Sequence, residues 1–222
     1  PDDTATDDTD ADGTTTTTTL PELFDSAPGV TAETIKLGVV YVDLEAVSDF
    51  VDLDHGSYEA AYRAVIENVN DNGGVLGRII EPVFAPINVL DPAGADAACL
   101  RLVEDDEVFA VMGNVQAAQL PCYIDLGETP FIGSTPTDEL EERARAPWFS
   151  VQRNADEATR TIIEGFAERG VFDGATVGVV VSADDEALMT RTAVPTLAEL
   201  GVSPSETAVI STPIIFPDEI EL

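Results

Sequence analysis

Short apolar runs alternate along this chain with longer stretches in which apolar residues recur every three or four positions. Ile35 to Tyr41 is β-branched and apolar, with no polar alternation after Lys36. A strand buried on both faces of a parallel sheet has this pattern. Tyr58, Ala61, Tyr62, Val65, Ile66 and Val69 then fall on one stripe of a helix. Asn72, Gly73 and Gly74 stop it, because glycine accepts the left-handed conformation that ends a helix. Ile79 to Phe84 is a second strand. Strand, amphipathic helix and strand make a right-handed crossover unit, the repeating element of doubly wound α/β domains.

The plan repeats downstream. Pro86 to Pro92 is a turn, and Ala95, Ala98, Cys99, Leu102 and Val103 mark the inner face of a second helix. Val108 to Met112 is a third strand, Gly113 to Gln119 its C-terminal loop, and a short helix starts near Pro121, where proline is tolerated in a first turn. Pro130 to Ile132 starts a fourth strand ending in Gly133 to Thr137, and Pro147 to Val151 is a further one. From Asn154 the pattern restarts. Ala158, Ile162, Ile163 and Phe166 line a helix ended by Gly170, Thr176 to Val181 is a strand, and Leu188 to Leu200 is a helix closed by Gly201. Pro195 should kink or split that helix. Thr207 to Ser211 is the last strand.

Composition adds bounds. With 222 residues and 44% apolar content the chain can bury a sizeable core. Residues 1–33 are dominated by Asp, Thr, Ala and Gly, with an unbroken run from Thr14 to Thr19, and read as a disordered acidic linker. Asp8 to Gly13 matches the first half of a calcium loop, but Thr19 stands where the loop needs a bidentate Glu, so the linker reading stands and no metal site is assigned. Ten basic against 43 acidic residues give a net charge of −33. This argues against nucleic acid and anionic membrane surfaces as partners. No apolar run reaches the ~20 residues that span a bilayer.

Three features together resemble the opening of the type I periplasmic binding proteins: the strand from Ile35 reading IKLGVV, the helix end Asn70-Asp-Asn-Gly-Gly-Val-Leu-Gly-Arg78, and a strand leading into Asp91-Pro92. The nearest branch includes the branched-chain amino acid binding components of ABC importers. The resemblance runs from about Gly29 to about Val202. It implies a doubly wound parallel sheet with a nearly complete first lobe at residues 34–153 and a second lobe only begun at residues 154–222. The chain then looks like an N-terminal fragment, and its second lobe should be poorly supported alone. The resemblance also implies an extracytoplasmic location, a lipid-modified cysteine upstream of residue 1, and ABC permease subunits as partners.

Ligands of open α/β sheets bind beyond the carboxyl ends of the strands. Those ends are Tyr41 to Asp43, Asn88, Asn114 to Gln116, Ser134 to Thr137 and Ser182 to Asp184. By resemblance, Asn114, Val115 and Gln116, with Ser134 and Thr135, hold the carboxylate and ammonium of an amino acid. Asp43 ends the first strand. His55, the sole histidine, is either a contact on the cleft rim or a surface residue at the helix entry. Two departures leave the ligand open: Gly113-Asn-Val-Gln-Ala-Ala118 stands where the branch usually has serines, and Ala183-Asp-Asp-Glu-Ala187 where it usually has an aromatic residue.

Cys99 and Cys122 are the only cysteines. Their helices should lie side by side on one face of the sheet, within bridging distance, and family members often carry a disulfide there. A disulfide and two buried thiols are the competing readings. The common hydrolase, phosphate-loop and zinc signatures are absent from the sequence, no cofactor is implied, and the chain is not read as an enzyme. The expected function is capture of a small polar ligand, an amino acid or related carboxylate, between two lobes of an importer's binding component. The alternatives are a ligand-sensing module of the same fold, an enzyme whose catalytic residues lie beyond Leu222, and a structural protein that has lost binding.

Overall fold

The computed structural model describes residues 24–44, 56–88 and 91–210. The partial calcium loop and His55 lie outside them. The first part of the chain runs β1 (Thr34–Val42), α1 (Tyr58–Asp71), β2 (Ile79–Ile87), α2 (Pro92–Leu100), β3 (Ala110–Gly113), β4 (Phe131–Gly133), α3 (Asp138–Arg143) and β5 (Trp148–Phe149). Its strands form one five-stranded sheet, all parallel, in the order β2-β1-β3-β4-β5. The reversal between β1 and β3 is the topological switch point of a doubly wound fold.

The period of two along β1 explains why its pattern lacks polar alternation. Leu37 and Val39 pack with Ile66 of α1 and Ala110, while Val40 points the other way, into a cluster with Leu102, Val111, Tyr123 and Phe131. With both faces covered, no position of the strand core is left for a polar side chain. α2 continues into a wide turn at Arg101–Asp105, and a second wide turn at Cys122–Leu126 follows β3. These two segments pack on the same face, and Cys99 and Cys122 form a disulfide with Cα atoms 6.4 Å apart.

The Asn70 to Arg78 motif has a physical reading. Asn70 Oδ1 accepts from the Ile80 amide at 2.8 Å and its Nδ2 donates to the Ile80 carbonyl at 2.9 Å, so one side chain docks the end of α1 on the start of β2. Arg78, largely buried, donates through Nε to the Thr31 carbonyl (2.7 Å) and through Nη2 to that of Phe24 (3.1 Å). Val30 is buried and bridges both Ala27 and Ile35. The packed chain therefore begins upstream of residue 34, because Arg78 gathers the preceding carbonyls that a linker would leave to water.

The second part contains α4 (Ala155–Glu168), β6 (Gly178–Ser182), α5 (Glu186–Leu188), α6 (Val194–Glu199) and β7 (Glu206–Ile210). β6 and β7 pair in parallel as a separate two-stranded sheet. The helix expected over Leu188 to Leu200 runs on without a break but widens at Met189–Ala193, and Pro195, which has no N–H to give, stands just past the wide turn in α6.

Two expectations needed adjustment. β2 extends through Pro86 to Ile87, because Pro86 pairs at the sheet edge, where no neighbour needs its N–H. α3 was not anticipated. Its six residues carry one buried apolar side chain, Leu140, too few for a helical stripe. The signals were its cap, Thr137, whose Oγ1 accepts from the Leu140 amide, and the acidic first turn of Asp138, Glu139 and Glu141.

Candidate functional site

A cavity of about 450 Å³ opens at the carboxyl edge of the five-stranded sheet. Val42 after β1, Ile87 and Asn88 after β2, Asn114 to Gln116 after β3, and Thr135 and Thr137 after β4 line it. Ala155, Ser182, Asp184 and Asp185 of the second part close its far side. A neighbouring depression of about 530 Å³ shares Thr137, Asp184 and Asp185 with it and reaches Arg143 and Arg191.

The loops after β3 and β4 can turn here because the strands end in glycines. Gly113 (φ 145°) and Gly133 (φ 126°) lie so close to their neighbours that a Cβ would come within 2.0 Å of the Val40 carbonyl oxygen and 1.9 Å of the Gly113 carbonyl oxygen, respectively. Only glycine fits where three backbones converge.

Ser134 follows at φ 51°, a left-handed conformation uncommon for a residue with a side chain. Its Oγ accepts from the Val115 amide at 2.9 Å and donates to the Val115 carbonyl at 3.2 Å. Ser134 and Val115 are both buried and are engaged with each other. Their observed contact joins the two loops and presents Asn114 and Gln116 on the cavity wall. Ser150 Oγ donates to the Ser134 carbonyl at 2.7 Å, and Trp148 Nε1 to that of Gly133 at 2.9 Å, so β5 secures the same loop. Thr135 lines the cavity, its hydroxyl donating to Gln152 Oε1.

Of the residues expected at the site, Asn114, Val115, Gln116 and Thr135 come together on the wall, and Ser134 lies directly behind it. At the end of β1 the wall is Val42; Asp43 is one residue beyond, its amide donating to the Ile87 carbonyl at 2.8 Å. The pattern-based reading missed Gln119, Leu120 and Asp185. Gln119 reaches the cavity because a single turn of tight helix, Ala117–Gln119, folds the loop back, and no periodicity announces such a turn.

Asp184 and Asp185 are the charged members of the lining, and among the described residues no Lys, Arg or His joins them. Asp185 Oδ2 accepts from Ser182 Oγ at 2.7 Å. The described residues hold no group of three His, Cys, Asp or Glu arranged for a metal ion. Before the cavity edge, Tyr41 donates to Glu59 Oε2 at 2.9 Å, and Arg63 reaches Glu59 Oε1 at 2.7 Å. Burial, reinforced by Glu59, pushes the Tyr41 phenol up to about 12. The hydrogen bonds from Arg63 and Tyr41 hold the Glu59 carboxyl below its ordinary value.

One buried carboxylate joins the two parts of the molecule. Asp156, 3% exposed, accepts from the Asp138 amide at the start of α3 (3.0 Å) and from the Thr192 hydroxyl in the turn before α6. Arg191 adds exposed ion pairs to Glu139 at 3.6 Å and Glu142 at 3.9 Å, which contribute little in water.

The same fold occurs in solved substrate-binding proteins. A fatty acid ABC transporter substrate-binding protein from Thermomonospora curvata superposes with a TM-score of 0.61 at 20% identity, over 87% of this chain and 49% of that one. An ABC transporter substrate-binding protein from Desulfitobacterium hafniense, in complex with leucine, superposes with a TM-score of 0.56 at 17% identity, over 81% of this chain and 52% of that one. The chain thus spans about half the length of these proteins. It is also 29% identical over 148 residues to glutamate receptor 2.5 of Arabidopsis thaliana, covering 62% of this chain and 15% of the receptor. The periplasmic binding protein family profile matches residues 34–212, most of the chain, and the chain belongs to that family.

Proposed function

We propose that this chain is the ligand-capturing part of an extracytoplasmic solute-binding protein that serves an ABC importer. The observation that carries this reading is the cavity at the switch point of the sheet, lined by strand-end loops with small and amide side chains. Residues 34–153 act as the first ligand-binding lobe and residues 154–222 as the start of the second, with Ser182 to Asp185 as its contribution to the cavity.

The ligand is a small polar molecule, an amino acid or a related carboxylate. Asn114, Gln116 and Thr135 contact it, Ser134 and Val115 hold the contacting loops in place, and Asp43 stands at the rim; His55 is a further contact, proposed from its place in the sequence alone. Closure of one lobe on the other captures the ligand, by higher affinity for the closed state and without a covalent step. Permease subunits take the loaded form, and a lipid anchor upstream of residue 1 keeps the protein at the membrane. The similarity to a plant glutamate receptor supports a second reading, in which closure signals to a regulatory partner.

A thermal-melt screen of the folded, ligand-stripped protein against amino acids, short-chain acids, amides and polyols tests the proposal. A ligand at about 100 times its dissociation constant should add about 2.7 kcal/mol. A flat screen overturns it.

A further inference from the structure

Gln119 stands apart from the other cavity residues. It is 8% exposed, it lines the cavity floor beside Leu120, and its Oε1 has no hydrogen-bond partner among the described residues. A buried acceptor left without a donor is costly in a folded protein, and native structures rarely keep one without a reason. The terminal torsion of glutamine is soft, so rotation about it can re-aim the buried Oε1 toward a donor in the cavity without moving the backbone. The charge around it has one sign, from Asp184 and Asp185, and among the described lining residues no cationic side chain offsets them.

We propose that Gln119 is a specificity-determining residue, which selects ligands presenting an N–H or O–H donor to the cavity floor and carrying no net negative charge. This inference rests on the solute-capture reading above. Amines, amides, zwitterions and polyols satisfy both requirements. A bare carboxylate satisfies neither: it brings only acceptors to an acceptor, and it enters a field set by two aspartates. Because Oε1 lacks a partner in the free protein, its hydrogen bond is gained only in the complex, so it adds affinity selectively for ligands that carry the donor.

Gln119→Met tests this, since methionine has nearly the same length and volume and no acceptor oxygen. The full chain, wild type and variant, is titrated calorimetrically with L-amino acids, their amides, simple polyols and the matching 2-keto acids, and both forms are melted without ligand. The expected result has two parts. The best wild-type binder comes from the donor-bearing groups and loses roughly tenfold in affinity in the variant, about 1.4 kcal/mol. The unliganded variant melts at the wild-type temperature or above, because an unsatisfied polar group has been removed. Affinity within twofold of wild type overturns the role of Gln119 and leaves solute capture standing, as does a 2-keto acid as best binder. No binding of any probe by wild-type protein overturns both.

Discussion

The two sheets of this molecule are built to the same local rules and reach different degrees of completion. The five-stranded sheet is covered on both faces, and Val39, Val40, Val111 and Phe131 are fully buried. The two-stranded sheet has the same parallel pairing and an amphipathic helix before it, yet Val180 is 51% exposed, and Ile162 and Phe166 of α4 are 56% and 43% exposed. The buried residues there are Met189, Ala193 and Leu197, with the polar Asp156, Thr192 and Thr196. Parallel strands need cover on both faces, and a pair of strands supplies too little area to form a core. Local propensity therefore specifies each element, while stability depends on how many layers close over it.

The sharpest way to break this comparison is one truncation in each part. Phe131→Ala should cost about 3–5 kcal/mol by the usual cost of emptying a buried aromatic site. Phe166→Ala, at a half-exposed position, should cost less than about 1 kcal/mol. Urea denaturation of both variants measures this, and equal losses would mean that the second part has a core of its own. Reduction of Cys99–Cys122 comes next, at about 3 kcal/mol on the chain-entropy estimate for a loop of this size. Its effect should fall on the five-stranded part. Hydrogen exchange with and without reductant would show it there, with β6 and β7 little changed.

The smallest effect is alkaline. All four tyrosines belong to the first part, so tyrosinate absorbance reports that part alone. With Tyr41 raised to about 12, the unfolded chain gives up this proton before the folded one as pH rises past 10. Stability should then fall between pH 10 and about 12. Tyr41→Phe should remove the phenol that titrates near 12 and leave the still later one of Tyr123, which burial pushes up further; a titration that keeps both late phenols would place the group near 12 elsewhere.

Much of this was legible in the sequence, for reasons that differ by element. β1 carries a long, unbroken apolar pattern because both its faces are packed, and α1 shows a stripe although Ile66 is its one buried residue and Val65 is exposed. The strand ends could be named from topology alone, which is why Asn114, Gln116 and Thr135 were anticipated on one wall. α3 escaped because six mostly acidic residues show no stripe, and Gln119 because its position depends on a three-residue turn. The bond between Ser134 and Val115 could not be read either: a loop serine is equally suited to hold a ligand or a neighbouring backbone, and only three-dimensional proximity decides.

Lys36, the chain's sole lysine, lies in β1 with its Nζ donating to the Asp106 carbonyl at 2.7 Å. The peptide bond that follows it leads straight into Leu37, which pairs with β2 on one side and β3 on the other. A lysine-specific protease thus has a single target, near the start of a strand held between two others, and reaches it only when β1 leaves its neighbours. Cleavage at this bond is a built-in clock for global opening of that sheet, unaffected by fraying of either terminus.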